Sequence, residues 1–393
     1  MSFKAQHFYL PWFFSTLIAL SACSSTDDTT TEEEEDTAYI PVTVYGQVND
    51  KPAVLDISSE GTTQFTNLET EFGLNPDYKY FSVFTFDMLL FYTLDIPTLD
   101  LKLRNLATAT TTLVPEFCAS FEDEIRYGPG TNGDVVYKLA GTENEIDKSL
   151  YLEVYDLLEE APCSRIDVAY SDSASADFTP FDIQTYDNFV LVYYLKAEGG
   201  VPEYRVSLVD LAAGEVLNEF TFDDTINKAF IAGNEVFIDS KTNNFNEYDV
   251  YDINDFSFKR SITIVSKPFT PTLLTSFTVE NKFPSFIALP QPSSFPVAPA
   301  ITDLENGDIL FEMTAEELIT FDNKVLTEIL PDLVTPADYA RSFHDFKVDL
   351  KTETIIFAYS TSASTGYVVF ADYEGNIKSH VELPLDPKRI IIH

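Results

Sequence analysis

The sequence is short of the residues from which most active sites are built. Its 393 residues hold four histidines, three cysteines, three methionines and one tryptophan. The histidines are His7, His344, His380 and His393, and none stands in an H-E-x-x-H or similar metal spacing. There is no G-x-S-x-G elbow, no C-x-x-C pair and no glycine-rich phosphate loop after a strand. No catalytic residue is assigned on these grounds, and no cofactor is expected. Basic residues are scarce too: 24 Lys+Arg stand against 64 Asp+Glu, a formal net charge of -40. Such a chain is repelled by nucleic acid and by anionic lipid, so nucleic acid is not an expected partner. Excess acid by itself speaks for solubility rather than for a site. Helix signals are sparse, and no apolar run is long enough for a comfortable transmembrane helix.

What the chain does have begins at its N-terminus. Lys4 gives a short positive region, and Phe8 to Ala22 is mostly apolar, carrying Trp12, Phe13, Phe14, Leu17, Ile18 and Leu20. The run ends in Leu20-Ser21-Ala22-Cys23. That ending resembles the lipobox of bacterial lipoproteins. The resemblance implies cleavage before Cys23 and lipid attachment at Cys23, with residues 1–22 as the signal peptide. Residues 24–36 contain no apolar side chain, so 23–38 is expected to be a disordered acidic tether. Acidic runs just after the lipidated cysteine look like the surface-export signals of Bacteroidetes lipoproteins. The expected location is the outer membrane, anchored by lipid and facing the cell surface.

The rest, 39–393, reads as a repeat. Tyr204–Phe222 has two apolar runs around Asp210-Leu211-Ala212-Ala213-Gly214, a β-hairpin pattern. Similar strand ends recur at Asp56, Asn105, Asp156, Asp210, Asp252, Asp322 and Asp372. The interval is about 50 residues, and with four strands traceable in most units this is the signature of an all-β, seven-bladed β-propeller, six or eight blades being alternatives. Each acid or amide has a local reason to be there, because a short side chain at a strand end bonds the amides of the turn that follows. The first unit lacks a strand, and Arg389–His393 is an apolar strand without a unit. The tail is therefore expected to pair in the first blade and close the ring, removing open sheet edges. Thr335-Pro336-Ala337-Asp338 predicts one short helix over 336–342.

Propeller geometry sorts the connections onto two faces. Turns such as Ala232-Gly233-Asn234 and Glu374-Gly375-Asn376 are tight. Stretches 141–148, 171–179, 197–203, 241–246 and 330–341 are expected as longer polar loops on the opposite face, where binding residues tend to sit. The stretch 267–299 is rich in Pro and Phe and is read as an insertion, because proline disfavours a central strand. Cys118 and Cys163 are the two thiols outside the N-terminal region. A disulfide between them is allowed in an oxidising compartment, but their expected places on opposite faces of adjacent blades argue against it. Asp303, Glu305 and Asp308 mimic calcium spacing around an Asn306-Gly307 turn, and Asp172 and Asp177 lack the glycine and bidentate glutamate of a calcium loop. Calcium thus remains open as a metal, with no ligand set assigned.

The overall pattern resembles bacterial envelope lipoproteins with quinoprotein-like or WD-type propellers, a likeness that carries no residues over. The favoured expectation is a binding or scaffold module, more a non-enzyme than an enzyme, taking a protein or glycan partner on the loop-rich face. A glycan-active hydrolase or lyase with facing carboxylates on that face is one alternative. An accessory subunit of an outer-membrane nutrient-uptake system is the other.

Overall fold

The computed structural model describes residues 39–73, 81–85, 88–92, 101–106, 108–114, 117–118, 124–142, 148–158, 163–173, 175–222, 228–239, 247–263, 269–271, 282–288, 297–330, 343–362 and 364–393. The chain divides into two units, Met1–Thr37 and Ala38–His393. The first unit, with Cys23 in it, and the helix expected over 336–342 lie outside the described residues.

The second unit is almost entirely β-structure, with 28 strands and two helices among the described residues. They form seven antiparallel four-stranded sheets. The first sheet holds β1 (Val42–Val48), β2 (Lys51–Ile57) and β3 (Thr63–Asn67), and α1 (Leu68–Phe72) follows it. The second holds β4 (Phe81–Thr85), β5 (Met88–Tyr92), β6 (Leu101–Asn105) and β7 (Thr111–Val114). The third holds β8 (Glu124–Thr131), β9 (Val135–Thr142), β10 (Lys148–Asp156) and β11 (Ser164–Ser171). The fourth holds β12 (Asp177–Tyr186), β13 (Phe189–Glu198), β14 (Val201–Asp210) and β15 (Glu215–Phe222). The fifth holds β16 (Lys228–Ala232), β17 (Glu235–Asp239), β18 (Glu247–Asp252) and β19 (Phe258–Thr263). The sixth holds β20 (Phe269–Pro271), β21 (Lys282–Ala288), β22 (Val297–Asp303) and β23 (Ile309–Glu312), and α2 (Ala315–Glu328) comes next. The seventh holds β24 (Phe343–Asp349), β25 (Thr354–Ser362), β26 (Thr365–Asp372) and β27 (Ile377–Leu383). The last strand, β28 (Asp386–Ile392), pairs antiparallel with β1 and gives the first sheet its fourth strand. Its approach requires Gly46, where a Cβ would collide with the Asp386 carbonyl.

The middle strands are near-continuous apolar runs because both faces of each sheet are covered. Val190–Tyr194 in β13 and Ile355–Ala358 in β25 are buried throughout. The cores fall between sheets. Val154, Ile166 and Val168 of the third sheet pack with Val190, Val192 and Tyr194 of the fourth. Leu191, Val206 and Leu208 of the fourth pack with Ile231 and Ile238 of the fifth. Similar clusters join the first to the second, the second to the third, the fifth to the sixth and the sixth to the seventh. One more joins the seventh to the first, through Ile356, Val368 and Phe370 against Val42, Val44 and Ile390.

Two expectations about the sixth sheet are corrected. The described residues of the stretch 267–299 belong to the sheet rather than to an insertion. They contribute β20, β21 and the start of β22. Proline is accommodated there because Pro271 ends its strand, and the ladder to β20 stops at Ser285, one residue after Pro284. Asp322 is not a strand end, because residues 320–323 lie within α2. The turn acid of the sixth sheet is Asp303, whose Oδ1 accepts from the Glu305 amide at 2.8 Å.

The other turn positions fall into place around it. Asn105, Asp156, Asp210, Asp252 and Asp372 each accept from a backbone amide two to four residues on, at 2.7–3.0 Å. In the first sheet Ser58 does this work, accepting from the Glu60 and Thr62 amides. Asp56 does not cap the turn. It faces the buried Arg104 of β6, at 3.2 Å, and accepts from the Thr43 hydroxyl at 2.5 Å. Arg104 also holds both Glu71 oxygens of α1, at 2.6 and 2.7 Å. A charge-assisted staple of this kind ties the first sheet to the second.

Candidate functional site

The sequence-derived sites separate sharply in the structure. Of the expected polar loops, residues 143–147, 240–246 and 331–342 lie outside the described residues. The stretch 197–203 is not a loop at all. β13 and β14 run on as one long hairpin, and the connection is only Gly199-Gly200, with φ of 60° and 84°. Two successive positive φ values are what a tight two-residue hairpin turn demands, and glycine supplies them without strain.

Cys118 and Cys163 form a disulfide, with Cα atoms 5.5 Å apart. The expectation that opposite faces would keep them apart fails for a local reason. Phe117 and Cys118 do not stay on the rim. They are buried between the second and third sheets with Leu90, Leu101, Leu103 and Val136. The Lys138 ammonium, itself buried, donates to the Cys118 carbonyl at 3.1 Å and pairs with Glu153 at 2.7 Å. The chain after β7 thus turns down into the seam and reaches Cys163 at the start of β11. Closing a loop of 45 residues contributes about 4 kcal/mol in the chain-entropy account.

Of the candidate calcium residues, Asp303 is engaged otherwise. Asp303 holds its turn, and the Asp308 amide donates to Asn306 Oδ1 at 2.8 Å. Asp172 and Asp177 are exposed. Among the described residues no three of His, Cys, Asp and Glu gather as metal ligands. No helix of the described residues is long and apolar enough to cross a membrane.

What the described part of the loop-rich side does present is the end of the fourth sheet. Its two faces differ. On the face toward the third sheet, Arg205 of β14 donates to Glu203 at 2.6 Å and to Glu219 of β15. Glu219 also accepts from the Tyr194 hydroxyl at 3.1 Å. Burial works against the Arg205 charge, but the Glu203 hydrogen bond and the Glu219 charge outweigh it and hold the guanidinium above its ordinary range. Burial, with the Glu219 charge adding to it, pushes the Tyr194 phenol well up, so it acts as a donor and not as a base. At the tip, Lys196 pairs with Glu198 at 2.9 Å, and this hydrogen bond lowers the Glu198 carboxyl. These groups satisfy each other and brace the hairpin.

The opposite face, toward the fifth sheet, is aromatic. Phe181 of β12 lies 5.0 Å from Tyr193 and stacks on Tyr204 at 6.2 Å and 22°. Tyr193 is buried, yet Phe181 is 52% exposed. The strands on the two sides of this seam differ in length. β12 and β13 have ten residues each, whereas β16 and β17 have five. Between the lead strands, Gln184 adds a polar contact across the seam, bonding the Ala229 carbonyl and the Ile231 amide. Phe181 lies three residues before Gln184 in β12. No sequence signal marked this ring; the pattern of unequal strand lengths was the available clue.

No protein-family model matches the chain, and no curated protein matches it. Among solved structures, it is similar to the β-propeller domain of the Trilobed protease from Pyrococcus furiosus, at 9% identity and a TM-score of 0.42, covering 77% of this chain and 83% of that one. It is also similar to TolB from Acinetobacter baumannii, at 13% identity and a TM-score of 0.35, over 88% of this chain and 79% of that one. A third is the dihydro-heme d1 dehydrogenase NirN, at 8% identity and a TM-score of 0.44, over 89% and 75%. Likeness at this level carries no argument about activity.

Proposed function

We propose that this chain is a lipid-anchored binding or scaffold protein of a bacterial outer membrane, folded as a seven-bladed β-propeller closed by β28. The observation that carries the fold reading is the circuit of shared cores. Each sheet packs on the next, and the seventh packs on the first. A chain of sheets that returns to its start has no unpaired end, which is the arrangement of a closed ring of blades. The anchor reading rests on Leu20-Ser21-Ala22-Cys23 and the acidic stretch after it. The binding reading rests on the division of labour between the two sides. On the tight side, Asn105 of the second sheet and the turn acids of the third to seventh are committed to their own backbone, and Ser58 does the same in the first. On the other side an exposed aromatic ring stands on a braced hairpin.

The test is site-specific photocrosslinking in cells that display the full chain. Benzophenone side chains at Ser175 and Val201, on the loop side, should capture a partner. The same groups at Ala213 and Glu374, on the tight side, should not. Equal capture from both sides would remove the loop-face reading. The anchor is tested separately: Cys23→Ser should release the chain from the membrane fraction, and a variant that stays with the membrane would sink that part.

A further inference from the structure

The strand that leads each sheet is paired on one side only, so irregularities there reach the middle of the proposed ring. Four of these lead strands carry a one-residue bulge among the described residues. The extra residues are Tyr127 in β8, Phe181 in β12, His344 in β24 and Lys388 in β28. All four stand at nearly the same level, four or five residues before their strands end. A bulge leaves one residue out of the ladder and re-aims its side chain, which is why bulges recur beside functional sites. Of these residues Phe181 is the one whose surroundings are described most fully. Its ring is half exposed, and one side is supported by Tyr193 and Tyr204.

We infer that Phe181 is the stacking platform of a glycan-binding site at the loop-side mouth of the ring, and that its ligand is a neutral, pyranose-rich polysaccharide. This inference rests on the loop-face reading above and adds the ligand class and the residue. The chemistry is that of the ring face. An aromatic face carries negative quadrupole charge, and the C–H groups on one side of a pyranose present the complementary positive edge. The two tyrosines beneath fix the ring, so little rotamer freedom is lost on binding.

Three alternatives fit less well. A protein partner needs a contiguous apolar patch of several hundred Å2, roughly the size at which exposed apolar surface marks an interface. Among the described residues of this hairpin and β12, Phe181 is the exposed ring and Val201 at the tip the other large exposed apolar side chain, while Phe65, Leu113, Tyr170, Phe258 and Leu310 stand on outer edge strands. An anionic polysaccharide meets a chain with a net charge of -40. A cation would be drawn by that charge, but Glu198, Glu203 and Glu219 are already paired with Lys196 and Arg205.

The experiment is affinity gel electrophoresis of the full chain, purified in detergent, through gels containing dextran, laminarin, galactomannan or xylan as neutral probes and alginate as the anionic one. At least one neutral gel should retard the wild type. Phe181→Ala should weaken that retardation about tenfold, Phe181→Trp should keep it, and Phe258→Ala, which removes an exposed ring elsewhere, should not change it. Circular dichroism melts of all three variants show whether the fold is intact; because Phe181 is half exposed, Phe181→Ala should melt near the wild type. If Phe181→Ala is retarded like the wild type, the platform assignment is wrong and the loop-face reading stands. If only alginate retards the wild type, or no neutral gel does, the ligand class is wrong. Equal photocrosslinking from both sides would instead remove the loop-face reading itself.

Discussion

The fourth and sixth sheets fill the same kind of place with very different amounts of strand. The fourth has strands of ten, ten, ten and eight residues. The sixth has three, seven, seven and four. The fourth sheet hands each face directly to a neighbour, burying Tyr194 and Val209 on one side and Val206 and Leu208 on the other. The sixth offers Ala298 and Ile301 to the seventh and adds a helix to the seam. The rest of the seam is filled by α2, which lays Leu318, Phe321 and Val325 against Ile355, Phe357 and Val369. Close packing is required of the seam, and the chain meets that requirement with strand or with helix. The consequence is that the fourth sheet has residues to spare beyond its seams, and there Phe181 is left exposed. The sixth has none.

Emptying each seam breaks this contrast most strongly. Phe321→Ala removes a ring that is 2% exposed and should cost about 4 kcal/mol; Leu208→Ala, fully buried in the fourth sheet, should cost about 3 kcal/mol. Denaturant unfolding gives these values. Native-state hydrogen exchange separates the two regions. Phe321→Ala should speed exchange in β25 while β13 stays protected, because the helix serves one seam only. Equal acceleration in both strands would show that the two regions open as one unit, and the contrast between them would lose its meaning.

The difference between the two regions also explains what is legible in the sequence. The strands of the fourth sheet are legible up to the hairpin tip, because β13 is a near-continuous apolar run, β14 carries Val206–Val209 and Asp210 stands at a turn. The sixth misleads. Thr320-Phe321-Asp322-Asn323 imitates a strand end and puts Asp322 forward as the turn acid. The Asp322 carboxylate is instead buried in the seam, where it accepts from the Tyr359 hydroxyl at 3.2 Å. The signal against a strand end is present: Thr314-x-x-Glu317 is a capping box, and Leu318, Phe321 and Val325 repeat at helical spacing. Prolines in 267–299 hide the short strands, since local propensity yields to pairing when the proline sits at a ladder end. The exposed aromatic and the disulfide are illegible for another reason. Both depend on contacts between distant strands, Phe181 with Tyr193 and Tyr204 and Cys118 with the core shared by the second and third sheets, and no local pattern encodes those.

A smaller test sharpens the same contrast at the turns. Asp303→Ala and Asp210→Ala should each cost about 1 kcal/mol, because each frees turn amides at a solvent-facing site. The two values should agree despite the unequal sheets, since the turn is a local device. Asp322→Ala should leave turn exchange rates at 304–308 unchanged and speed exchange in α2. If Asp322→Ala instead loosens residues 304–308, Asp303 is not the residue that holds the turn of the sixth sheet.

The smallest expected effect lies in the fifth sheet, between these two regions. Asp252 caps its turn like Asp210, but it also pairs with Lys259 at 2.9 Å. The Lys259 hydrogen bond, with those from Asn254, brings its carboxyl down to about 2. The folded value lies below the unfolded one, near 3.9 for an ordinary aspartate. Its stabilisation is therefore present above roughly pH 4 and is lost as the pH falls through about 2. Asp252→Asn keeps an oxygen for the turn and removes the charge. At neutral pH it should lower stability by about 0.3–0.5 kcal/mol, since the pair is solvent-facing and screened. Thermal melts from pH 7 down to roughly pH 2 should show the two curves converging at the acid end. A gap that persists there would mean that Asp252 acts through the turn alone, and that its ion pair with Lys259 adds nothing to what Asp210 does unaided.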